Sequence, residues 1–515
     1  MKQVYRVIGL AALASVGFYL GWAALTTTLG FPLDDAWIHQ VFARNLAQHA
    51  EFSYNPGQPV AGSTSPLWTI MLVPGYLFGG EAYKWWAYLL GWLFLGLSAL
   101  EVARLYQLLF STNSHSENKP ALWTAGTIAA LFTLFEWRLV WAATSGMETL
   151  LFTFGTLWLL RYYLQLAQTE AKVKLTLPKV LLTHAWLGLG GGLLTLVRPE
   201  GMVLLGLVGL DIGRRFLGKR NWGGLVARWL TCGLLWIIPL IPYVLFNYSV
   251  GGRPLPTTFY AKAGYYGSDR SVGAILEYFG QALFELVGRG QVLLLLPGFL
   301  IGLYGGLLRG RADWRPLVWP GLLLILYAVQ LPVTYQHGRY LMPLIPFLIL
   351  YGVYGTAELI SWLQKQKLPF LARLLPLVLA FPVAIAWFNG AQAYQFDVKL
   401  INDEQVRVGR WLHDNTPLTA SVASHDIGAI GYFSGRKLVD IAGLVSPEYV
   451  PIVLNQPAIL AKLRREGVSY LAIYPDWYPA PYLNDLLGRE GRKVFEPPET
   501  YLAAFGKGNM AVFKL

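Results

Sequence analysis

"SPLWTIMLVPGYLFGG" (65–80) is the stretch on which the topology of this chain turns. It is apolar, but shorter than the roughly 20 residues that cross a bilayer core, and Pro74 with Gly75 interrupts it. We read it as a re-entrant or juxtamembrane helix that does not cross. Eleven other apolar runs are candidate spans, near 6–28, 84–108, 121–138, 147–166, 178–196, 201–213, 225–246, 292–309, 316–334, 339–360 and 369–390. With the N-terminus inside, the inner connections hold Arg104, Lys119, Lys172, Lys174, Lys179, Arg214, Arg215, Lys219, Arg220, Arg309, Arg311, Arg315, Lys365 and Lys367. The outer ones hold few cations: Arg44, Arg198, Arg253, Lys262, Arg270 and Arg339. That asymmetry is what the positive-inside rule demands. A crossing at 65–80 would exchange the sides of every later loop.

Composition agrees with a polytopic α-helical membrane protein. Hydrophobic residues make up 55% of the 515 and charged ones only 14%, against roughly 25% charged in soluble domains. The net charge of +12 is explained by basic inner loops, so no nucleic-acid partner is inferred; the bilayer is the partner. The single Cys232 excludes an intrachain disulfide and a cysteine-rich metal site. The N-terminal "MKQVYRVIGLAALASVGFYLGWAALTTTLG" starts basic, but its apolar part is long for a signal peptide and reads as an uncleaved first span. After about residue 395 the texture changes. "SVASHDIGAIGYFSGRKLVDIAGL", "VSYLAIYPDWY" and "NMAVFKL" are short β-like runs, separated by charged helical segments. Two domains follow: a transmembrane unit over 1–394, with a first outer loop at 29–83, and a small soluble α/β domain over 395–515, on the outer side.

Nearly every unusual polar cluster falls on the outer side: "LDDAWIHQ" (33–40), "SGMET" (145–149), "RPEG" (198–201), "GGRPLPTTFYAKAG" (251–264), "QHGRY" (336–340) and "SHDIGAIGY" (424–432). Polar groups gathered at one interface suit a site open to one leaflet, whereas a transport path needs them along the membrane depth. One of Asp34 and Asp35 is accounted for as the N-cap of "DAWIHQVFARNLAQ". That helix carries an apolar stripe, Ile38, Phe42 and Leu46, expected to lie at the membrane surface. The second carboxylate has no such explanation, and a partly desolvated, ionised carboxylate suits a general base for a hydroxyl. Glu148 fits a helix start, and Arg198 with Glu200 a local ion pair. Arg253 and Lys262 suit either snorkelling or a phosphate, and Arg339 a phosphate. His425 and Asp426 fit a turn pair. Trp37, Trp68, Trp137, Trp141 and Tyr260 suit an interfacial belt or stacking on sugar rings.

"DDAWIHQVFARNLAQHAEFSYNPGQPVAGSTSPLW", behind a first span, resembles the first outer loop of C-type (GT-C) glycosyltransferases. "SGMETLLF", "RPEG", "PTTFYAK" and "GRYLMPLIP" resemble motifs of bacterial members related to the mycobacterial terminal arabinofuranosyltransferase of the cell wall. The tail's "DIGAIGYFSGRKLVDIAGL" is similar to the segment opening the soluble domain of those relatives.

The resemblance implies a GT-C fold and transfer of a sugar, with inversion, from a polyprenyl-phosphate donor on the extracytoplasmic face. The acceptor is a glycan, lipid or protein of the cell envelope. The base falls on Asp34, with Asp35 as second candidate or orienting partner. Two adjacent like charges should raise one pKa. The leaving phosphate calls for fixed cations, assigned to Arg253, Lys262, Arg339 and Arg198. Substrate-binding candidates are His39, Glu148, Glu200, Tyr260, His337, His425 and Asp426. C-type enzymes differ in needing a divalent cation, so Mg2+ or Mn2+ stays open and no metal ligand is assigned. A lipid or solute transporter and a non-catalytic envelope-assembly protein are the alternatives.

Overall fold

A computed structural model describes residues 2–110, 124–266, 271–307, 313, 315–474, 492–498 and 508–515. Lys119, Arg270, Arg309 and Arg311 lie outside the described residues. Six described helices are long and apolar enough to cross a membrane: Gln3–Thr26, Ala82–Phe110, Leu177–Val197, Trp222–Gly251, Tyr335–Lys365 and Pro369–Asn415. A seventh crossing arises if Val272–Gly288 and Gln291–Gly305, bent by 80° at their junction, count as one span. The protein is thus polytopic and α-helical, but its helices are less uniform than eleven simple spans.

Local chemistry explains the departures. The expected span 121–138 is broken at Glu136, whose extended backbone ends Ala125–Phe135. The Glu136 side chain then accepts from the N–H groups of Arg138 and Leu139, starting Trp137–Ala143. Trp137–Ala143 is buried throughout by protein, whereas Ile128 of the preceding helix stays exposed. Close helix pairs are set by small residues. A Cβ at Gly298 would sit 2.2 Å from the Gly352 carbonyl, and one at Gly355 1.8 Å from that of Gly298. Only glycine lets these two helices touch backbone to backbone.

The stretch 65–80 does not cross. It forms a helix over Pro66–Leu72 and a 3-10 turn over Val73–Tyr76, and seven residues of helix span only about 10 Å. Trp68 Nε1 donates to the Gly146 carbonyl at 2.9 Å, and the Tyr76 hydroxyl to Gln40 Oε1 at 2.7 Å. Ile70, Leu77 and Phe78 remain exposed.

The last long helix runs past the 394/395 boundary without interruption to Asn415, with a π-helical turn at Asn402–Val406. Beyond it a five-stranded mixed sheet forms from β3 (Ser421–Ser424), β4 (Lys437–Asp440), β5 (Tyr470–Ile473), β6 (Arg492–Phe495) and β7 (Ala511–Lys514), in the order β4-β3-β5-β7-β6. A small hairpin in the first loop supplies β1 (Ser53–Asn55) and β2 (Gln58–Pro59). The Asp34–His49 helix is held by this tail rather than by a membrane surface. Phe42 is fully buried, in one apolar cluster with Tyr54, Val408, Val422 and Ile430.

Candidate functional site

The helix Asp34–His49 has no side-chain cap of its own; neither aspartate serves it. The two carboxylates point in different directions. Asp34 accepts from the backbone N–H of Gly428 at 2.6 Å and of Ala429 at 2.7 Å, the first residues of the tail helix Gly428–Ser434. It clasps the tail to the first loop. Burial and then the charge of Asp426 push Asp34 above the ordinary carboxylate value, against these two donors. The Gly428 position has no room for a side chain, since a Cβ there would sit 1.9 Å from the Asp34 carbonyl.

Asp35 turns the other way. Its Oδ2 lies 2.7 Å from Arg339 Nη1. Arg339 Nη2 donates to the Tyr340 hydroxyl at 3.0 Å, and Lys262 Nζ reaches the same hydroxyl at 3.3 Å. Burial would raise the pKa of Asp35, but Arg339 and Lys262 hold it below the usual carboxylate value. Lys262 in turn is raised, because Tyr340 and Asp35 outweigh burial. The Asp35 side chain keeps 30% of its surface exposed while that of Arg339 keeps 3%. Solvent reaches the carboxylate; behind it Arg339 is enclosed and Lys262 is half-buried.

A second pair extends the cluster. Arg198 Nε donates to Glu148 Oε1 at 2.7 Å, and the Arg198 guanidinium lies over the rings of Phe152 and Tyr340. The expected Arg198–Glu200 pair is therefore replaced by a contact across helices; Glu200 places its charge near Arg198 and its side chain beside the Tyr327 hydroxyl. His39 approaches Glu148 Oε2 at 3.6 Å and Thr69 Oγ1 at 3.1 Å through its two ring nitrogens. Burial holds His39 below its ordinary value, opposed by Glu148 and Asp35. Arg339 Nε and Arg198 Nη1 are buried and donate to no acceptor among the described residues. Guanidinium groups left so suit an incoming oxyanion.

The other candidates sit elsewhere. Arg253 lies over Tyr260 at 4.7 Å, and both line a cavity of about 330 Å3 together with Pro447, Glu448 and Val450 of the tail. His337 is bound to Asp397. His425 stands 3.9 Å from Asp426, which accepts from Gln405 Nε2 at 3.0 Å. Trp37, Trp68 and Trp141 are buried, not a belt. Among the described residues no three His, Cys, Asp or Glu side chains converge, and Asp35 is faced by cations. Tyr340, Thr69 and Asp397 were missed by sequence reasoning. Tyr340 adjoins Arg339 in "QHGRY", and a carboxylate at the end of a long apolar helix, as Asp397 is, was a usable signal.

Solved structures share this architecture. AglB, an archaeal oligosaccharyltransferase from Archaeoglobus fulgidus, in complex with an inhibitory peptide and a dolichol-phosphate, superposes with a TM-score of 0.61 at 13% identity, over 92% of this chain and 69% of its own. ArnT from Cupriavidus metallidurans bound to undecaprenyl phosphate gives 0.59 at 15%, over 99% and 97%. The chain has the GT-C fold. Within it, a family model described as a domain of unknown function (DUF8728) matches residues 393–513, which begins inside the last long helix of the GT-C unit. No curated protein matches the chain in sequence.

Proposed function

We propose that this chain is a membrane glycosyltransferase that moves one monosaccharide from a polyprenyl-phosphate donor to a cell-envelope glycan, lipid or protein acceptor on the extracytoplasmic face. The observation that carries the reading is a part-exposed Asp35 backed by the buried Arg339 and the half-buried Lys262. The kinship of fold with proteins solved with dolichol-phosphate and undecaprenyl phosphate supports a lipid-phosphate donor.

Asp35 is the base in this reading, rather than Asp34, whose two oxygens are taken by backbone N–H groups. The acceptor hydroxyl gives its proton to Asp35 while its oxygen attacks the anomeric carbon from the face opposite the leaving group. The bond from that carbon to the phosphate oxygen breaks, and the configuration inverts. The polyprenyl phosphate departs with the electron pair, its charge met by Arg339, Lys262 and Arg198. In the unliganded protein Arg339 pairs with Asp35; a donor phosphate competing for that guanidinium would free the carboxylate and raise its basicity. Arg253, Tyr260 and Glu448 lie to one side, where an acceptor approaches. The motif resemblance makes a polyprenyl-phosphate arabinofuranose the first donor to try.

The test is full-length protein in nanodiscs with synthetic polyprenyl-phosphate sugars, together with mass spectrometry of copurifying lipid. A new glycosidic bond formed by the wild type and lost in Asp35→Asn supports the reading. Full turnover by Asp35→Asn would sink the assignment of the base. Movement of lipid across the membrane without a new bond would favour a transporter.

A further inference from the structure

The residues Gln336, His337 and Gly338 are all left-handed, with φ of 55°, 59° and 67°. Gly338 adopts this freely, but Gln336 and His337 carry side chains that disfavour it. Strained backbone persists only where its surroundings over-determine it. Here the surroundings are visible. His337 Nε2 lies 2.7 Å from Asp397 Oδ2, and the same oxygen accepts from Trp141 Nε1 at 2.9 Å. The imidazole is held edge-on by two indoles, with ring centroids 5.0 Å from Trp137 and 5.3 Å from Trp141. Asp397 belongs to the long helix that continues into the tail. The turn leads directly into Arg339 and Tyr340, the two residues that meet Asp35 and Lys262.

We propose that Asp397, acting through His337, is a positioning residue: it clamps the left-handed turn so that Arg339 enters the site aimed at Asp35 and at the donor phosphate. The proposal rests on the glycosyltransferase reading for the phosphate, but not for the clamp itself. It also reassigns His337. With Nε2 engaged by Asp397, the imidazole holds backbone rather than substrate.

The substitutions Asp397→Ala and Asp397→Asn separate geometry from charge, since an Asn oxygen can still accept from both His337 and Trp141. Each is made in the full chain in nanodiscs, alone and with Arg339→Ala. Two quantities are read: hydrogen–deuterium exchange over 335–341, and binding of undecaprenyl phosphate by native mass spectrometry. Asp397→Ala is expected to speed exchange over that segment and to weaken binding about tenfold, while in the Arg339→Ala background it adds less than about twofold. Asp397→Asn is expected to stay within about threefold of wild type, which also guards against a variant that fails to fold. Unchanged exchange in Asp397→Ala overturns the clamp. So does a binding loss of equal size with and without Arg339. A wild type that binds no undecaprenyl phosphate would sink the donor reading, and the exchange arm would still decide the clamp.

Discussion

Two buried polar clusters cap opposite ends of the same two helices, Thr149–Lys172 and Leu177–Val197. They are built from similar residues and satisfied to different degrees. At one end Glu170 takes two hydrogen bonds from Arg228, at 2.9 and 2.7 Å, and one from Arg215, at 2.9 Å. His184 lies 4.0 Å away. About 33 Å along the helix, the other end holds Glu148, Arg198, His39, Asp35, Arg339 and Lys262. There the carboxylate Asp35 is part-exposed, and buried guanidinium nitrogens of Arg339 and Arg198 have no acceptor among the described residues. A closed ion-pair network holds helices together. One with enclosed, unpartnered donors has been left ready for something that is not protein. The difference lies in saturation rather than composition.

Substitutions should break this contrast in a graded way. The largest expected effect is in Asp35→Asn, with transfer reduced roughly a hundred- to ten-thousandfold and lipid-phosphate binding retained. Asp34→Asn, assayed beside it, should lose less than about tenfold, because its role is one of docking hydrogen bonds. Equal losses in both would return the base to either residue. At the closed end, Glu170→Ala should destabilise the protein by about 3–5 kcal/mol by leaving buried cations unpaired, seen as a lower melting temperature. Activity per folded molecule should be unchanged, and a fall in kcat with no thermal shift would erase the distinction between the two ends.

A smaller effect concerns pH. Arg339 and Lys262 hold Asp35 below its ordinary value. A lowered carboxylate is ionised above its folded pKa, and both the base function proposed for it and the attraction to those cations are lost as pH falls through that value. Lys262→Gln removes one of the lowering charges, so the acid limb of kcat/KM should move to higher pH. An unmoved limb would mean that another group titrates there. Smallest of all, Glu448→Ala, in the cavity with Arg253 and Tyr260, should raise the acceptor KM by about twofold to fivefold, as loss of one hydrogen bond does. Donor KM should not change; if it does instead, that cavity serves the lipid.

Much of this was legible in the chain before any coordinates. Apolar runs and the spacing of Lys and Arg between them marked a polytopic membrane protein, and the interrupted stretch 65–80 was readable as a helix too short to cross. Of the polar motifs, those holding Asp35, Glu148, Arg198, Lys262 and Arg339 come together, while Arg253, Tyr260, His425 and Asp426 sit elsewhere. Three things were not legible. Glu136 as a helix break and cap depended on its backbone at one residue. The packing of Ile38 and Phe42 against the tail was hidden because an apolar face reads the same whether lipid or protein covers it. The partner of Arg198 lies fifty residues away, and local spacing favoured Glu200.

What the sequence by itself determined is the class of molecule and the set of groups at its polar end, because hydropathy and charge act residue by residue and are written in order along the chain. Which aspartate faces the site was decided only by tertiary structure. Asp34 and Asp35 are adjacent and chemically alike, and nothing in "LDDAW" distinguishes them. The tail helix brings its N-terminal N–H groups to one, and the turn before Tyr340 brings Arg339 to the other. A carboxylate's role depends on the charges within a few ångströms of it, and those charges arrive from residues hundreds of positions away.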